Sequence, residues 1–82
     1  MSRYMFYTYV LRSARDNKLY IGSTSDLVTR KKFHDQGRVQ STKNRRPLVL
    51  IYYEACLTKE KAEKREKYFK TGFGGGFLKN RI

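Results

Sequence analysis

The chain has 82 residues, and its 19 Lys and Arg against seven Asp and Glu give a formal net charge of +12. This length suits one domain, residues 1–82, with a small core, and so strong a positive charge favours a polyanionic partner, with nucleic acid ahead of an acidic membrane surface. The single cysteine, Cys56, excludes an intramolecular disulfide. No apolar run approaches the roughly 20 residues of a membrane span, and Met1–Phe6 does not resemble a secretory signal. We therefore expect a cytoplasmic protein without a membrane partner.

The first half of the chain predicts a β-hairpin followed by a helix. Met5–Leu11 is aromatic and β-branched, which is typical of a strand, and Leu19–Ser23 predicts a second strand. Asp16-Asn17-Lys18 between them favours a turn, because Asn tolerates a positive φ. A helix is then expected over Leu27–Asp35, with Gly37 as its stop.

The second half predicts one strand and two helices. Arg38–Arg46 is polar and basic and has no periodicity, which indicates a loop. The apolar run Leu48–Tyr53 suits a central strand that is covered on both faces. Thr58 is placed to cap a long helix that Gly72 ends, and a short helix is expected over Phe77–Ile82.

The predicted order is therefore β-β-α-β-α-α, an α+β domain with a three-stranded antiparallel sheet flanked by helices. The glycine-rich stretch Gly72–Gly76 lacks the spacing of a phosphate-binding loop and follows no strand, which favours a helix stop and a flexible joint.

Glu66 is the most informative residue of the second long helix. At about 100° per residue, Ala62, Glu66 and Phe69 share the face that should pack against the rest of the fold. A carboxylate that leans inward needs a cation, a hydrogen-bond network or a metal ion. In so basic a chain, this acid favours metal-dependent chemistry on a polyanion.

Polar candidates also occur on the other elements. Arg30 and His34 are four residues apart and share a helix face with Leu27, which should anchor that face to the sheet. Tyr9 and Tyr20 lie on the two predicted strands. Taken singly, each has an ordinary interpretation: a solvated cation, a hydrogen-bonded histidine, or core tyrosines with exposed hydroxyls.

In combination these residues resemble the GIY-YIG nuclease superfamily. Tyr7-Thr8-Tyr9 stands where the family often has Gly-Ile-Tyr, and Tyr20-Ile21-Gly22 matches the second half of the motif directly. Arg30 and His34 match the family's helical Arg and His, and Glu66 matches its metal-binding Glu. The resemblance covers nearly the whole chain and is closest to the short bacterial single-domain members.

The resemblance implies metal-dependent hydrolysis of phosphodiester bonds. Glu66 would hold Mg²⁺ or Mn²⁺, because a hard ion that keeps several waters suits a site with one acid. Arg30 would clamp the nonbridging phosphate oxygens. Tyr20 would be the general base for the attacking water, with the metal and Arg30 nearby to favour its ionised form. Tyr9 would position the water or orient Tyr20.

Two further roles carried by the resemblance concern His34 and Gly22. His34 would share the work of the base or hydrogen-bond Tyr20, and the sequence leaves this choice open. Gly22 would let the substrate backbone approach the second strand closely. We expect the five catalytic candidates, Tyr9, Tyr20, Arg30, His34 and Glu66, to converge on one concave surface.

The predicted partner is nucleic acid, with DNA favoured over RNA, and no small-molecule cofactor is expected. Basic and polar residues should flank the site and contact the nucleic acid. These candidates, besides Gly22, are Lys31, Lys32, Arg38, Lys43, Arg45, Arg46 and Asn80.

Two alternatives remain open. One is a nucleic-acid-binding module of the same fold with weak or partner-dependent catalysis. The other is a basic protein of a membrane surface or the ribosome, which would explain the charge but not the grouping of Glu66, Arg30 and the strand tyrosines.

Overall fold

The computed structural model describes residues 5–82, so the first four residues of the expected domain lie outside the described range. The chain order of strands and helices is the predicted one, β-β-α-β-α-α. The strands are β1 (Phe6–Ser13), β2 (Leu19–Thr24) and β3 (Leu48–Cys56), and the helices are α1 (Leu27–Asp35), α2 (Lys59–Phe69) and α3 (Gly72–Lys79).

The three strands form one antiparallel sheet in the order β2-β1-β3. Asn17 adopts a φ of +61° in the turn that joins β1 to β2, as its side chain allows. The prediction that Leu48–Tyr53 is the central strand is wrong, because β1 is central and β3 is an edge strand. Val49 and Tyr53 of β3 are exposed, and an apolar run alone does not distinguish a central strand from an edge strand.

The two faces of the sheet carry separate apolar clusters. Tyr7, Tyr9 and Leu11 of β1 pack with Leu27 of α1 and with Leu48 on one face, which we call the α1 face. The alternate residue Val10 packs on the opposite face with residues of the other two helices, and we call this the α2 face. The hydroxyl of Thr8 donates to the backbone oxygen of Ala62 at 2.7 Å and ties α2 to β1.

Two local predictions are corrected by the fold. The basic segment before β3 contains a turn of 3₁₀ helix, Lys43–Arg45. The glycine-rich stretch is the first part of α3 and not a flexible joint, so the predicted last helix begins too late and ends too late. Thr71 caps α3 by accepting a hydrogen bond from the amide of Gly74, and this cap sets the helix start ahead of the glycines.

Within residues 5–82, no helix is both long enough and apolar enough to cross a membrane.

Candidate active site

The α1 face of the sheet brings together Tyr9, Tyr20, Arg30 and His34. Tyr9 on β1 is 1% exposed, and its ring lies 6.2 Å from that of Tyr20 and 5.7 Å from that of His34, measured between centroids. Helix α1 starts at an Asp26 cap, and the spacing of four residues turns Arg30 and His34 to the side of the helix that faces β1 and β2.

The hydroxyl of Tyr9 is the centre of a hydrogen-bond chain. It lies 2.9 Å from Nε2 of His34 and accepts from Nε of Arg30 at 3.4 Å. On the other side of the imidazole, Nδ1 of His34 lies 2.7 Å from the hydroxyl of Thr42. His34 and Thr42 are both fully buried. Arg30 is therefore connected through two buried side chains to the loop that follows α1.

The protonation states of this chain follow from burial. Burial, with the positive charge of Arg30 as a second cause, lowers the pKa of His34 to about 4, so the imidazole is neutral at neutral pH. Burial raises the pKa of Tyr9 to about 12, although the hydrogen bond from Arg30 opposes it. Since Tyr9 keeps its proton, it donates to Nε2, and the N–H of His34 then lies on Nδ1 and donates to Thr42.

These states decide between the two roles considered for His34. Its ring edge contacts Tyr20, with centroids 5.0 Å apart, but the hydroxyl it bonds is that of Tyr9. The expected hydrogen bond to Tyr20 is thus replaced by one to Tyr9. His34 is thus buried, with one ring nitrogen on Tyr9 and the other on Thr42.

Gly22 has a different role from the one expected. It is the register partner of Tyr9 across the β1–β2 pair. A Cβ on Gly22 would lie 2.6 Å from the hydroxyl oxygen of Tyr9 and 2.7 Å from the ring carbon that bears it. The space that the sequence assigned to the substrate backbone is occupied by the tyrosine itself.

Tyr20 is the more accessible of the two tyrosines. It is partly exposed on the edge strand β2, whereas Tyr9 is buried on the central strand. Its ring lies 6.2 Å from that of Tyr9 and 5.0 Å from that of His34, measured between centroids, and Arg30 donates to the hydroxyl of Tyr9. The site therefore brings a partly exposed phenol and a permanent cation to the same buried tyrosine at the edge of the sheet.

Glu66 reaches the same edge strand from the α2 face. Its Oε1 accepts a hydrogen bond from the hydroxyl of Ser23 at 2.8 Å, and its Oε2 lies 3.0 Å from Nζ of Lys70. Ser23 pairs with Thr8, and side chains alternate along a strand, so Ser23 points to the face opposite Gly22 and Tyr20. The expectation that all five candidates share one surface is wrong in this respect: Glu66 approaches β2 from the face opposite Tyr20.

The donor set at Glu66 fits a hard divalent ion that keeps most of its waters. One carboxylate and the neighbouring Ser23 hydroxyl are both oxygen donors, and the Glu66 side chain is 25% exposed. Lys70, which neutralises the carboxylate, is itself 54% exposed and free to move away. Residues 5–82 contain no group of three or more His, Cys, Asp or Glu arranged as a complete metal cage.

Several of the predicted nucleic-acid contacts already have protein partners. Lys31 pairs with Asp35 at 2.7 Å, and Arg45 pairs with Asp16 at 3.1 Å in the turn between β1 and β2. The guanidinium of Arg38 stacks 4.3 Å from the ring centre of Phe33. These contacts give the basic side chains a structural role that composition does not reveal.

The remaining candidates are more open. Arg46 donates to the backbone oxygens of Lys43 and Asp35, which brings its guanidinium against Gly37. Lys32 is exposed, and so is Asn80, which ends α3 as its C-cap.

Two polar residues of the site were not identified from the sequence. Ser23 directly follows Tyr20-Ile21-Gly22, and the alternation of side chains along β2 could have indicated that it faces α2. Thr42 lies in an aperiodic loop, and no local pattern connects it to His34.

Comparison with known proteins finds a matching family and related proteins. A family model described as the GIY-YIG catalytic domain matches residues 5–76 and stops short of Asn80. A UPF0213 protein of Bacillus pumilus is 42% identical over 72 residues, which cover 87% of this chain and 72% of that protein. A UPF0213 protein of Pediococcus pentosaceus is 46% identical over 66 residues, 79% of this chain and 68% of that protein.

A solved structure also matches. The solution NMR structure of a UPF0213 protein from Bacillus halodurans aligns with a TM-score of 0.56 at 29% identity, covering 93% of this chain and 83% of that one. The α+β fold with a three-stranded antiparallel sheet is confirmed by this match.

Proposed function

Because this chain belongs to the GIY-YIG family, we propose that it is a metal-dependent endonuclease that hydrolyses phosphodiester bonds in DNA. The family is a nuclease family that acts on nucleic acid. The observation that carries the proposal is the meeting of Arg30 and Tyr20 at the buried Tyr9, which the Tyr9–His34–Thr42 hydrogen-bond chain holds beside the β2 edge.

In this proposal the scissile phosphate lies against the β2 edge. Arg30 uses its Nε to hold Tyr9, and its remaining N–H groups contact the nonbridging oxygens, where negative charge grows in the transition state. Tyr20 acts as its phenolate: it orients the attacking water, accepts the water's proton and so becomes the phenol, beside the positive charge of Arg30. Tyr9 and His34 keep the guanidinium in place without touching the substrate.

Glu66, with the Ser23 hydroxyl beside it, would hold a divalent ion on the other side of the strand. A bound Mg²⁺ or Mn²⁺ would supply Lewis-acid stabilisation of the leaving oxygen. Lys70 must release the carboxylate when the ion binds, which its exposure permits.

The test compares Glu66→Ala with Glu60→Ala, a matched loss of one carboxylate at an exposed position of the same helix. Labelled single- and double-stranded DNA and RNA are incubated with and without Mg²⁺ or Mn²⁺, and affinity is measured separately without metal. We expect Glu66→Ala to abolish cleavage and to keep or improve binding, because a negative charge facing a polyanion is removed. Full activity of Glu66→Ala with Mg²⁺ present contradicts the proposed metal-dependent mechanism. Cleavage of RNA but not of DNA contradicts DNA as the proposed substrate.

A specific observation favours a second candidate, a binding module of the same fold with little catalysis. Both oxygens of Glu66 already have protein partners, Ser23 and Lys70, as they would in a purely structural network. Tight binding by the parent protein with no cleavage of any substrate under any metal would favour this candidate.

A further inference from the structure

A cleft of about 320 Å³ opens between the end of β2 and the first turns of α2. Ser23, Ser25, Lys59, Glu63 and Phe6 are among the residues that line it. We call it the β2–α2 cleft. None of the roles described above uses Ser25, Lys59 or Phe6.

The cleft is continuous with the candidate site. Ser23 belongs to both, because it lines the cleft and its hydroxyl donates a hydrogen bond to Glu66. On α2, Lys59 and Glu63 precede Glu66 by seven and three residues, on the same side of the helix. At 1.5 Å per residue, the backbone of Lys59 lies about 10 Å along the helix from that of Glu66.

The lining suits the backbone of a nucleotide. Lys59 offers an ammonium and Ser25 a hydroxyl, both exposed, and neither side chain takes part in an ion pair or hydrogen bond within residues 5–82. Lysine and serine are among the side chains that commonly contact phosphate oxygens in protein–nucleic acid complexes. Phe6, partly buried, adds an apolar wall against which a sugar can pack.

Thr24 does not belong to this donor set. Its hydroxyl accepts from the amide of Asp26 at 3.1 Å and lies 3.3 Å from the carbonyl oxygen of the same residue. Among residues 5–82, the lining side-chain donors without a hydrogen-bond partner are therefore Lys59 and Ser25.

We propose that the β2–α2 cleft is a phosphate subsite that receives the nucleic-acid backbone next to the scissile phosphate, with Lys59 and Ser25 as its contacts. This inference rests on the proposed function, since the scissile phosphate defines its position. It extends the substrate path from the β2 edge along α2, away from the loop that precedes β3.

The test is a comparison of two lysines on one helix. Lys64 is exposed like Lys59 but lines a different cleft, beside Arg65 and Glu54. Binding of a fluorescent single-stranded and a duplex DNA is measured without divalent metal over a range of salt for Lys59→Met and Lys64→Met. One lost phosphate contact should lower affinity about eightfold at 0.1 M salt and reduce the salt slope by about one. We expect this loss for Lys59→Met and a much smaller one for Lys64→Met.

A second test uses Glu63, whose replacement should raise DNA affinity where that of Lys59 lowers it. Its carboxylate stands in the same cleft and opposes a phosphate there, whereas Glu60 on the same helix does not line the cleft. Glu63→Gln should therefore strengthen binding more than Glu60→Gln. Equal losses from the two lysine variants, equal gains from the two glutamate variants, or no binding by the parent protein would overturn the subsite.

The outcomes separate the subsite from the proposed function. The binding measurements need no cleavage. If Lys59→Met alone loses DNA affinity and the parent protein cleaves nothing, the subsite proposal stands and the nuclease proposal is wrong. If the parent protein cleaves DNA, replacing one phosphate of the substrate, at a fixed distance from the cut bond, by a neutral methylphosphonate should slow cleavage by the parent but not by Lys59→Met. If that replacement slows Lys59→Met as much as the parent, the nuclease proposal stands and the subsite proposal is wrong.

Discussion

Replacing Gly22 by alanine should damage the site through Tyr9. The added Cβ would lie 2.6 Å from the hydroxyl oxygen of Tyr9 and 2.7 Å from the adjoining ring carbon, distances that require one of the groups to move. Tyr9 is 1% exposed, so its ring has little room to retreat. Overpacking of this kind costs about 1–3 kcal/mol.

A displaced Tyr9 also loses its bonds to His34 and Arg30. Leaving a buried imidazole nitrogen unpaired costs about 1–3 kcal/mol more. We therefore expect Gly22→Ala to lower the free energy of unfolding by about 2–6 kcal/mol. Cleavage should fall further than stability explains, since Arg30 loses the group that holds it.

The assay is urea unfolding followed by circular dichroism, with cleavage measured at a temperature at which the variant is fully folded. Tyr9→Phe in the Gly22→Ala background should recover only part of the stability, because the ring carbon still lies 2.7 Å from the new Cβ. A Gly22→Ala protein as stable and as active as the parent would refute the reasoning.

Further predictions concern α3 and pH. At Gly74 a Cβ would meet the backbone of Tyr68 and lie 2.8 Å from the Cα of Phe69, whereas at Gly75 it would meet nothing within 4 Å. In urea unfolding, Gly74→Ala should therefore be severely destabilised, while Gly75→Ala should be more stable by up to about 1 kcal/mol, and the same sign for both would contradict the structure. Since the pKa of His34 falls from 6.5 to about 4 on folding, the unfolded chain binds a proton that the folded chain does not between these values. The contribution of His34 to the free energy of unfolding should be constant above pH 6.5 and fall by up to about 3 kcal/mol toward pH 4. The His34→Gln protein should lack this pH dependence.

Much of the fold could be predicted because the local signals agree with the tertiary structure. Leu27–Asp35 forms a helix with the predicted bounds, and Thr58 caps α2 as expected. The sheet order could not be deduced in the same way. Whether a strand is central depends on which strands pair with it, and the continuous apolar run of β3 suits either position.

Residue types and motif spacing were enough to propose candidate site residues, but they did not predict how these residues are arranged. The spacing of four residues correctly brings Arg30 and His34 together beside Tyr9. It does not reveal that Glu66 approaches β2 from the other face, because that depends on where α2 packs. The role of Gly22 likewise depends on a cross-strand partner that only the register of β1 and β2 defines.

In the part of the chain that the structure describes, the order β2-β1-β3 leaves both β2 and β3 as open edges of a short sheet. Open edges invite pairing with another chain, above all when they are as apolar as β3, with its exposed Val49 and Tyr53. A net charge of +12 counteracts such pairing, because like-charged copies repel one another before their edges meet. The charge that suits a polyanionic partner thus also keeps the protein dispersed, and concentrated salt, which shortens the Debye length to about 3 Å at 1 M, removes that protection.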